Sequence, residues 1–385
     1  MTESKKIPFG RPWIDDRDRN AVMEVLHSPI LTHGPQCKAF EQDFAEFMGG
    51  GYAATVSSCT AALHLAYFHF GIGVGDEVIV PAQTHTATAH AVELVGATPV
   101  FIDCELKTGN LDLSQLESLI TPRTKAISLV HFLGISCNMK EIVALAERYD
   151  LKVIEDCALA VGTRFQDTHV GLWGDVGCFS FYPVKHITTG DGGMFVSRHQ
   201  DVVESVKKLR AFGVDRSFSE RSLPGMYDVV TLGFNYRMSD IQAALGRQQL
   251  AKIGEILARR QENFTQFKTR LSDIGDILIL DAVEEDYINS YYCLTVVLQG
   301  TLAKKRNEIV TRLKELGIGT SIYYPQPVPR MTYYQKKYSY EETRYPQATI
   351  ISDCSIAFPV APHISLEDIE YIVENFQQVL QEIDQ

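Results

Sequence analysis

The chain is predicted to be an α/β protein, with a mainly parallel central sheet between helices and a smaller α+β domain at its C-terminal end. Three observations carry this. Val- and Ile-rich runs alternate with helical patterns from about residue 52 to 200, and a strand buried on both faces reads as an unbroken apolar run. The rhythm changes after GGMFVS (192–197), where longer helical patterns take over. At 385 residues the chain also exceeds what one hydrophobic core ordinarily supports. The larger domain is placed at 1–250, N-terminal segment included, and the smaller at 251–385.

Taken in order, AATVSS (53–58) reads as a short strand and TAALHLAYFHFGI (60–72) as a helix apolar on most faces. DEVIVP (76–81) is a strand ended by proline, and THTATAHAVELVG (84–96) a helix stopped by glycine. TPVFIDC, LSQLESLI, KAISLVHFLG, MKEIVALAERY and KVIEDC continue the alternation. VVESVKKLRAFG (202–213) reads as a helix and 214–234 as an irregular segment. Residues 239–271 read as one long helical stretch, and the amphipathic EDIEYIVENFQQVLQEI (367–383) closes the chain.

Composition narrows the function classes. Apolar residues make up 45% and charged residues 22%, an ordinary globular balance. A net charge of −12 argues against nucleic acid, whose phosphates are bound by clustered Lys and Arg. The eight cysteines form no C-x-x-C pair, and several stand in apolar runs, which fits buried free thiols in a reducing compartment. No apolar run approaches membrane-spanning length, and the first residues lack a signal-peptide pattern. The expectation is a cytoplasmic protein that binds neither nucleic acid nor membrane.

Ligands on sheets of this kind gather beyond the strand ends, so residues there are weighed first. At Ser57–Leu63 a strand enters a helix through small hydroxyl residues, as either an ordinary N-cap or a phosphate site on free N–H groups. Neither G-x-G-x-x-G nor G-x-x-x-x-G-K-[ST] occurs. Glu155 and Asp156 end a strand, where a carboxylate either orients a cationic nitrogen or serves as a solvated acid. No ligand spacing completes a metal site around them. Lys185, in FSFYPVKHITTGDGG (179–193), stands between an apolar run and a turn that permits close backbone approach. Burial would depress its pKa and yield the neutral amine that Schiff-base chemistry needs. Gly233–Ser239 offers Asn235 and Arg237 as ligand contacts and Ser239 as a helix cap. His85 is either a ring to stack on a flat ligand or a neighbour of a helix cap.

Together these stretches resemble the DegT/DnrJ/StrS family of sugar-nucleotide aminotransferases, pyridoxal phosphate enzymes of fold type I. The motifs IPFGRPWI, LTHGP, SSCTAALHLA, GDEVIVPAQT, GATPVFIDC, TPRTKAI, VIEDC, FSFYPVKHITTGDGG, GFNYRMSDIQAALG and ELGIGTSIYYP carry the resemblance in one order along nearly the whole chain. It implies that Lys185 carries pyridoxal 5′-phosphate as a Schiff base and later moves protons. By the same resemblance Asp156 holds the pyridine nitrogen protonated, which keeps the ring an electron sink. Cys59, Thr60 and Ser180 match positions that bind the cofactor phosphate. Asn235 matches a residue reaching that phosphate from the neighbouring subunit, so a homodimer with shared sites is implied. Three positions depart from the family pattern: Cys59 replaces a glycine, His85 a stacked aromatic, and Leu159 a His or Gln that bonds the phenolic oxygen.

The implied reaction takes an amino group from L-glutamate, through pyridoxamine phosphate, to the keto carbon of a nucleotide-linked keto-deoxysugar. The lysine-containing motif looks more like relatives that aminate C4 than those that aminate C3. A C3 aminotransferase and a pyridoxal-dependent sugar dehydratase are the alternatives. Tyr323, Tyr324 and Arg330, in YYPQPVPR, are candidate substrate contacts without assigned roles.

Overall fold

Seven of the apolar runs assemble into one sheet. The structure is a computed structural model that describes residues 5–32, 34–215, 223, 226–282, 287–339 and 341–383. The sheet contains β1 (Tyr52–Val56), β2 (Glu77–Pro81), β3 (Thr98–Ile102), β4 (Thr124–Val130) and β5 (Lys152–Asp156). After two short strands, β6 (Arg164–Phe165) and β7 (Thr168–His169), it is completed by β8 (Val176–Ser180) and β9 (Gly193–Ser197). The spatial order is β1-β9-β8-β5-β4-β2-β3. Pairs along β8-β5-β4-β2-β3 are parallel. β9 runs antiparallel to both of its neighbours, so β1 points the same way as β8. The C-terminal ends of β1, β2, β5 and β8 therefore lie along one edge. β2, β8 and β9 are buried at every position, as strands covered by helices on both faces should be.

The helices interleaved with the sheet follow the expected order, and two that the sequence reading did not give stand before it. α1 (Asp16–His27) and α2 (Pro35–Met48) precede the sheet, and α3 (Cys59–His69), α4 (Thr86–Leu94), α5 (Leu113–Leu116), α6 (Met139–Tyr149) and α7 (Gln200–Leu209) are interleaved with it. α3 is made largely of Ala and Leu, and eight of its residues, from Cys59 to Tyr67, are buried. Small side chains let it press against the sheet near β8 and β9.

Beyond β9 the architecture changes. α8 (Asp240–Ala251) and α9 (Ile253–Leu271) lead to a three-stranded antiparallel sheet in the order β10-β12-β13, with β10 (Ile277–Ile279), β12 (Leu294–Leu298) and β13 (Ser355–Phe358). Between β10 and β12 lies β11 (Tyr287–Ile288), which joins β6 and β7 in a small separate sheet. α10 (Arg306–Glu315), α11 (Thr332–Tyr338), α12 (Pro346–Cys354) and α13 (Leu366–Ile383) complete the chain. Residues of α9, α10 and α13 share a hydrophobic cluster with β12 and β13, and Ile7 belongs to it. Ile7 also forms a parallel bridge with Ile318, so the N-terminal segment packs against the C-terminal part.

The single helix expected over 239–271 is two helices. The break falls at Lys252, whose φ of −99° and ψ of 0° leave the helical range. The break coincides with a buried ion cluster. Lys252 Nζ donates to Asp18 Oδ2 at 2.5 Å and, at 3.2 Å, to Asp15 Oδ2 and the Trp13 carbonyl. Asp15 is also the N-cap of α1, with Asp18 returning the bond as a capping box. Part of the irregular segment 214–234 lies outside the described residues.

Removing one partner of a buried pair leaves the other charge uncompensated. Lys252→Met should therefore lower stability by about 3–5 kcal/mol, measured as a shift of the chemical-denaturation midpoint. A loss below about 1 kcal/mol would show that the cluster contributes little.

Candidate active site

Four strand ends supply the candidate residues. The chain leaves β1 at Val56 and enters α3 through Ser58, whose side chain caps the helix by accepting from Ala61 N at 3.1 Å. Cys59 and Thr60 are the first two helical residues, so their N–H groups have no partner within the helix. Those two amides and the positive end of the helix dipole form a site for an anion. β9 begins against this turn at Gly193, where an added Cβ would lie 2.6 Å from Ser58 C and 2.7 Å from Cys59 N. Any larger residue would push the loop away from β9.

The Cys59 side chain turns inward. Its Sγ lies 3.4 Å from the Cys178 carbonyl and 3.8 Å from Asp156 Oδ1. Burial first, and the Asp156 charge next, push this thiol well above the ordinary cysteine range, so it stays neutral.

β5 ends in two acids with opposite fates. Glu155 is fully buried and accepts from the N–H groups of Gly171, Trp173 and Gly174 at 2.6–2.9 Å, with His131 Nε2 at 3.0 Å. His131 Nδ1 accepts from Cys137 N at 3.2 Å, which fixes the ring as a donor toward Glu155. His131, Glu155 and Cys157 lie close enough to share a metal ion, but these donors already occupy the carboxylate and the imidazole. The group is a structural knot. Asp156, on the other face, accepts from Thr88 Oγ1 at 2.8 Å on Oδ2 and from Ala158 N at 3.0 Å on Oδ1. With the Cys59 thiol also directed at Oδ1, three of a carboxylate's roughly four acceptor positions are met, so one remains for a further donor.

Lys185 stands beyond β8, with its backbone N–H closing a turn onto the Tyr182 carbonyl at 2.9 Å. Its side chain is half-buried, with Nζ 5.3 Å from the centre of the Tyr292 ring. Burial pushes the ammonium down to about 8, against the opposing pull of the Asp156 charge. Tyr292 hydroxyl meets Tyr323 hydroxyl at 2.9 Å. Ser180 is buried at the end of β8, its Oγ accepting from Tyr182 N at 3.4 Å.

The remaining candidates divide. His85 is the N-cap of α4, its Nδ1 accepting from Ala87 N at 3.1 Å. Its ring is exposed and meets Tyr324 edge-on at 5.6 Å. Asn235 is exposed and accepts from Arg237 Nε at 2.9 Å; none of its described contacts reaches Lys185 or Asp156 of its own chain. Leu159 is buried in the core cluster, and its carbonyl accepts from Ser290 Oγ at 3.0 Å. Arg330 is held by both oxygens of Asp353. A cavity of about 460 Å³, lined in part by Glu105, Lys107 and Asn138, includes none of these residues.

Sequence reasoning missed Thr84, Thr88 and Tyr292. On the helix expected over 84–96 the i, i+4 spacing would place the two threonines on one face, and that spacing beside a strand end was the available signal; in the structure Thr84 precedes the α4 cap and Thr88 lies on the first turn. Tyr292 carried none.

An anion site at a helix N-terminus, a half-buried amine of lowered basicity and a carboxylate with one free acceptor position lie along a single sheet edge. That set fits a phosphate-bearing aldehyde cofactor with a basic ring nitrogen, and it defines a pyridoxal phosphate enzyme of fold type I. The model of the DegT/DnrJ/EryC1/StrS aminotransferase family matches residues 12–377, and the chain belongs to that family. It is an aminotransferase with pyridoxal phosphate as its cofactor. The spore coat polysaccharide biosynthesis protein SpsC of Bacillus subtilis is 36% identical, over 98% of each chain. GDP-perosamine synthase of Escherichia coli O157:H7 is 35% identical, over 97% of this chain and 98% of its own. Among solved structures, Helicobacter pylori PseC, an aminotransferase involved in the biosynthesis of pseudoaminic acid, superposes with a TM-score of 0.93 at 27% identity. The match covers 98% of this chain and all of that one.

Schiff-base formation requires the neutral amine. Uptake of pyridoxal 5′-phosphate by cofactor-free protein should accelerate as pH rises and level off above about 8, where Lys185 is deprotonated. Absorbance-monitored uptake across pH checks this. A rate still rising at pH 10 would mean the amine titrates as an ordinary lysine.

Proposed function

We propose that this enzyme transfers an amino group from L-glutamate to the keto carbon, at C4, of a nucleotide-linked keto-deoxysugar. One observation carries the reading: a half-buried Lys185 amine, lowered to about 8, stands along one sheet edge with Asp156 and the open N-terminus of α3. When bound, the cofactor supplies an electron sink for the carbon that carries the amino group. Lys185 holds the cofactor and then takes and returns the proton at that carbon, as general base and acid. Asp156 keeps a proton on the ring nitrogen through its remaining acceptor position. The Cys59 and Thr60 amides, with Ser180, bind the phosphate. A relative is named for making GDP-perosamine and another for spore coat polysaccharide, which supports the sugar-nucleotide acceptor. Choice of C4 over C3 rests on the lysine-containing motif.

The site is completed in a homodimer. Exposed apolar residues Val229, Val230 and Leu232 lead directly into Asn235, with Met226 exposed just before them and Phe212, also exposed, donating its backbone N–H to the Phe234 carbonyl at 2.9 Å. An apolar run of this kind suits a partner surface, and it would carry Asn235 to the phosphate of the neighbouring site. Free buried cysteines suit a cytoplasmic location, and no described helix is long and apolar enough to cross a membrane.

Glutamate added to the yellow, cofactor-loaded protein should bleach it and release one equivalent of 2-oxoglutarate, and a nucleotide-linked ketosugar should restore the colour. A spectrum indifferent to amino donors would overturn the aminotransferase reading, and water loss from the sugar without 2-oxoglutarate would favour a dehydratase. Lys185→Ala should lower turnover by roughly 10²–10⁴-fold or more.

Subunit sharing is read separately. Lys185→Ala homodimers should be inactive, and Asn235→Ala homodimers should bind cofactor roughly tenfold more weakly. Hybrids of the two variants should regain one site with native affinity, because that site takes its lysine from one chain and its asparagine from the other. Hybrids without recovery would place Asn235 in its own chain's site.

A further inference from the structure

The acid that would hold the cofactor's ring nitrogen is itself held by a chain of hydroxyls. Thr84 Oγ1 and Thr88 Oγ1 lie 2.7 Å apart, and Thr88 Oγ1 lies 2.8 Å from Asp156 Oδ2. All three residues are buried, Thr88 with no exposed surface. The direction of the chain is fixed by chemistry. An ionised carboxylate only accepts, so Thr88 must donate to Asp156. Its oxygen is then left to accept from Thr84, whose hydroxyl is the head of the relay. Hydrogen bonds in such a chain polarise one another, most where water is excluded.

The other carboxylate oxygen, Oδ1, is met by Ala158 N and by the weak Cys59 thiol. A carboxylate on a single Cβ–Cγ bond turns easily unless both oxygens are engaged. The backbone N–H fixes one of them, and without Thr88 nothing described would fix the other. The rigid element is α4, which carries Thr88 on its first turn and so transmits the position of β2 to an acid on β5.

We propose that Thr88, seated by Thr84, is the positioning residue that aims the free acceptor position of Asp156 at the cofactor's ring nitrogen. This rests on the reading of Asp156 given above, and Asp156→Asn tests that reading separately. The probe is pyridoxal 5′-phosphate labelled with ¹⁵N in the ring, loaded onto intact protein, with the nitrogen resonance followed against pH. Its position reports whether the nitrogen carries a proton.

Thr88→Val keeps the shape of the side chain and removes the donor. It should lower the proton affinity of the ring nitrogen by roughly tenfold, the effect of one charge-assisted hydrogen bond. Thr88→Ser, which restores the hydroxyl, should titrate as the native protein does. Thr84→Val should shift the titration the same way by a smaller amount, and it carries the test if Thr88→Val fails to fold. A purely structural Thr88 would alter stability or loading and leave the resonance of the loaded protein unmoved. An unmoved Thr88→Val resonance, or a Thr88→Ser resonance like that of Thr88→Val, overturns the inference while a moved Asp156→Asn resonance leaves the reading of Asp156 intact. If Thr88→Val does not fold, an unmoved Thr84→Val resonance overturns it instead. An unmoved Asp156→Asn resonance overturns both.

Discussion

The proposed chemistry depends on an amine and a carboxylate that share one sheet edge without being joined by a described hydrogen bond. Asp156 lies close enough to pull the Lys185 pKa upward, yet burial wins and brings it down to about 8. A direct ion pair would reverse that outcome, because a contacting carboxylate stabilises the ammonium and leaves little neutral amine. The parallel sheet sets the separation. β5 and β8 are neighbours, with Asp156 opposite Cys178. The acid therefore sits at a strand end, while the lysine arrives five residues beyond the end of β8, on a turn.

The same sheet explains why adjacent acids have unlike roles. Successive side chains on a strand point to opposite faces, so Glu155 and Asp156 meet different surroundings. Glu155 is surrounded by three backbone N–H groups and an imidazole N–H, a set that consumes its acceptor capacity and ties the 171–174 loop to β5. Asp156 meets two hydrogen-bond donors and a weak thiol, which leaves one position open. A saturated carboxylate builds structure. An unsaturated one at a ligand edge is available for chemistry.

The fold was legible because fully buried parallel strands announce themselves as unbroken apolar runs, as β2 and β8 do. What was missed depends on contacts between distant parts of the chain. The break at Lys252 falls where its side chain meets Asp18, 234 residues earlier, and no helical pattern carries that contact. β6, β7 and β11 are two residues each, too short for any period to register. Lys185 and Asp156 stood out through motif and strand position. Thr88 did not, because a buried threonine has meaning only once Asp156, 68 residues away, is known to lie beside it.

The departures from the family pattern follow from where side chains point. An anion site at Cys59 would need backbone N–H groups facing the ligand and room for whatever the residue carries. The thiol turns toward Cys178 and Asp156, so the amides remain open and a side chain is tolerated where glycine is usual. His85 spends its Nδ1 as a helix cap, which holds the imidazole at the start of α4 and presents an exposed ring beside Tyr324. Leu159 differs in kind. Its side chain is part of the core and offers no donor, so any donor to a phenolic oxygen must come from another residue. In the proposed reading, the substitution at Cys59 keeps the backbone amides available for a phosphate, whereas the one at Leu159 removes a side-chain donor.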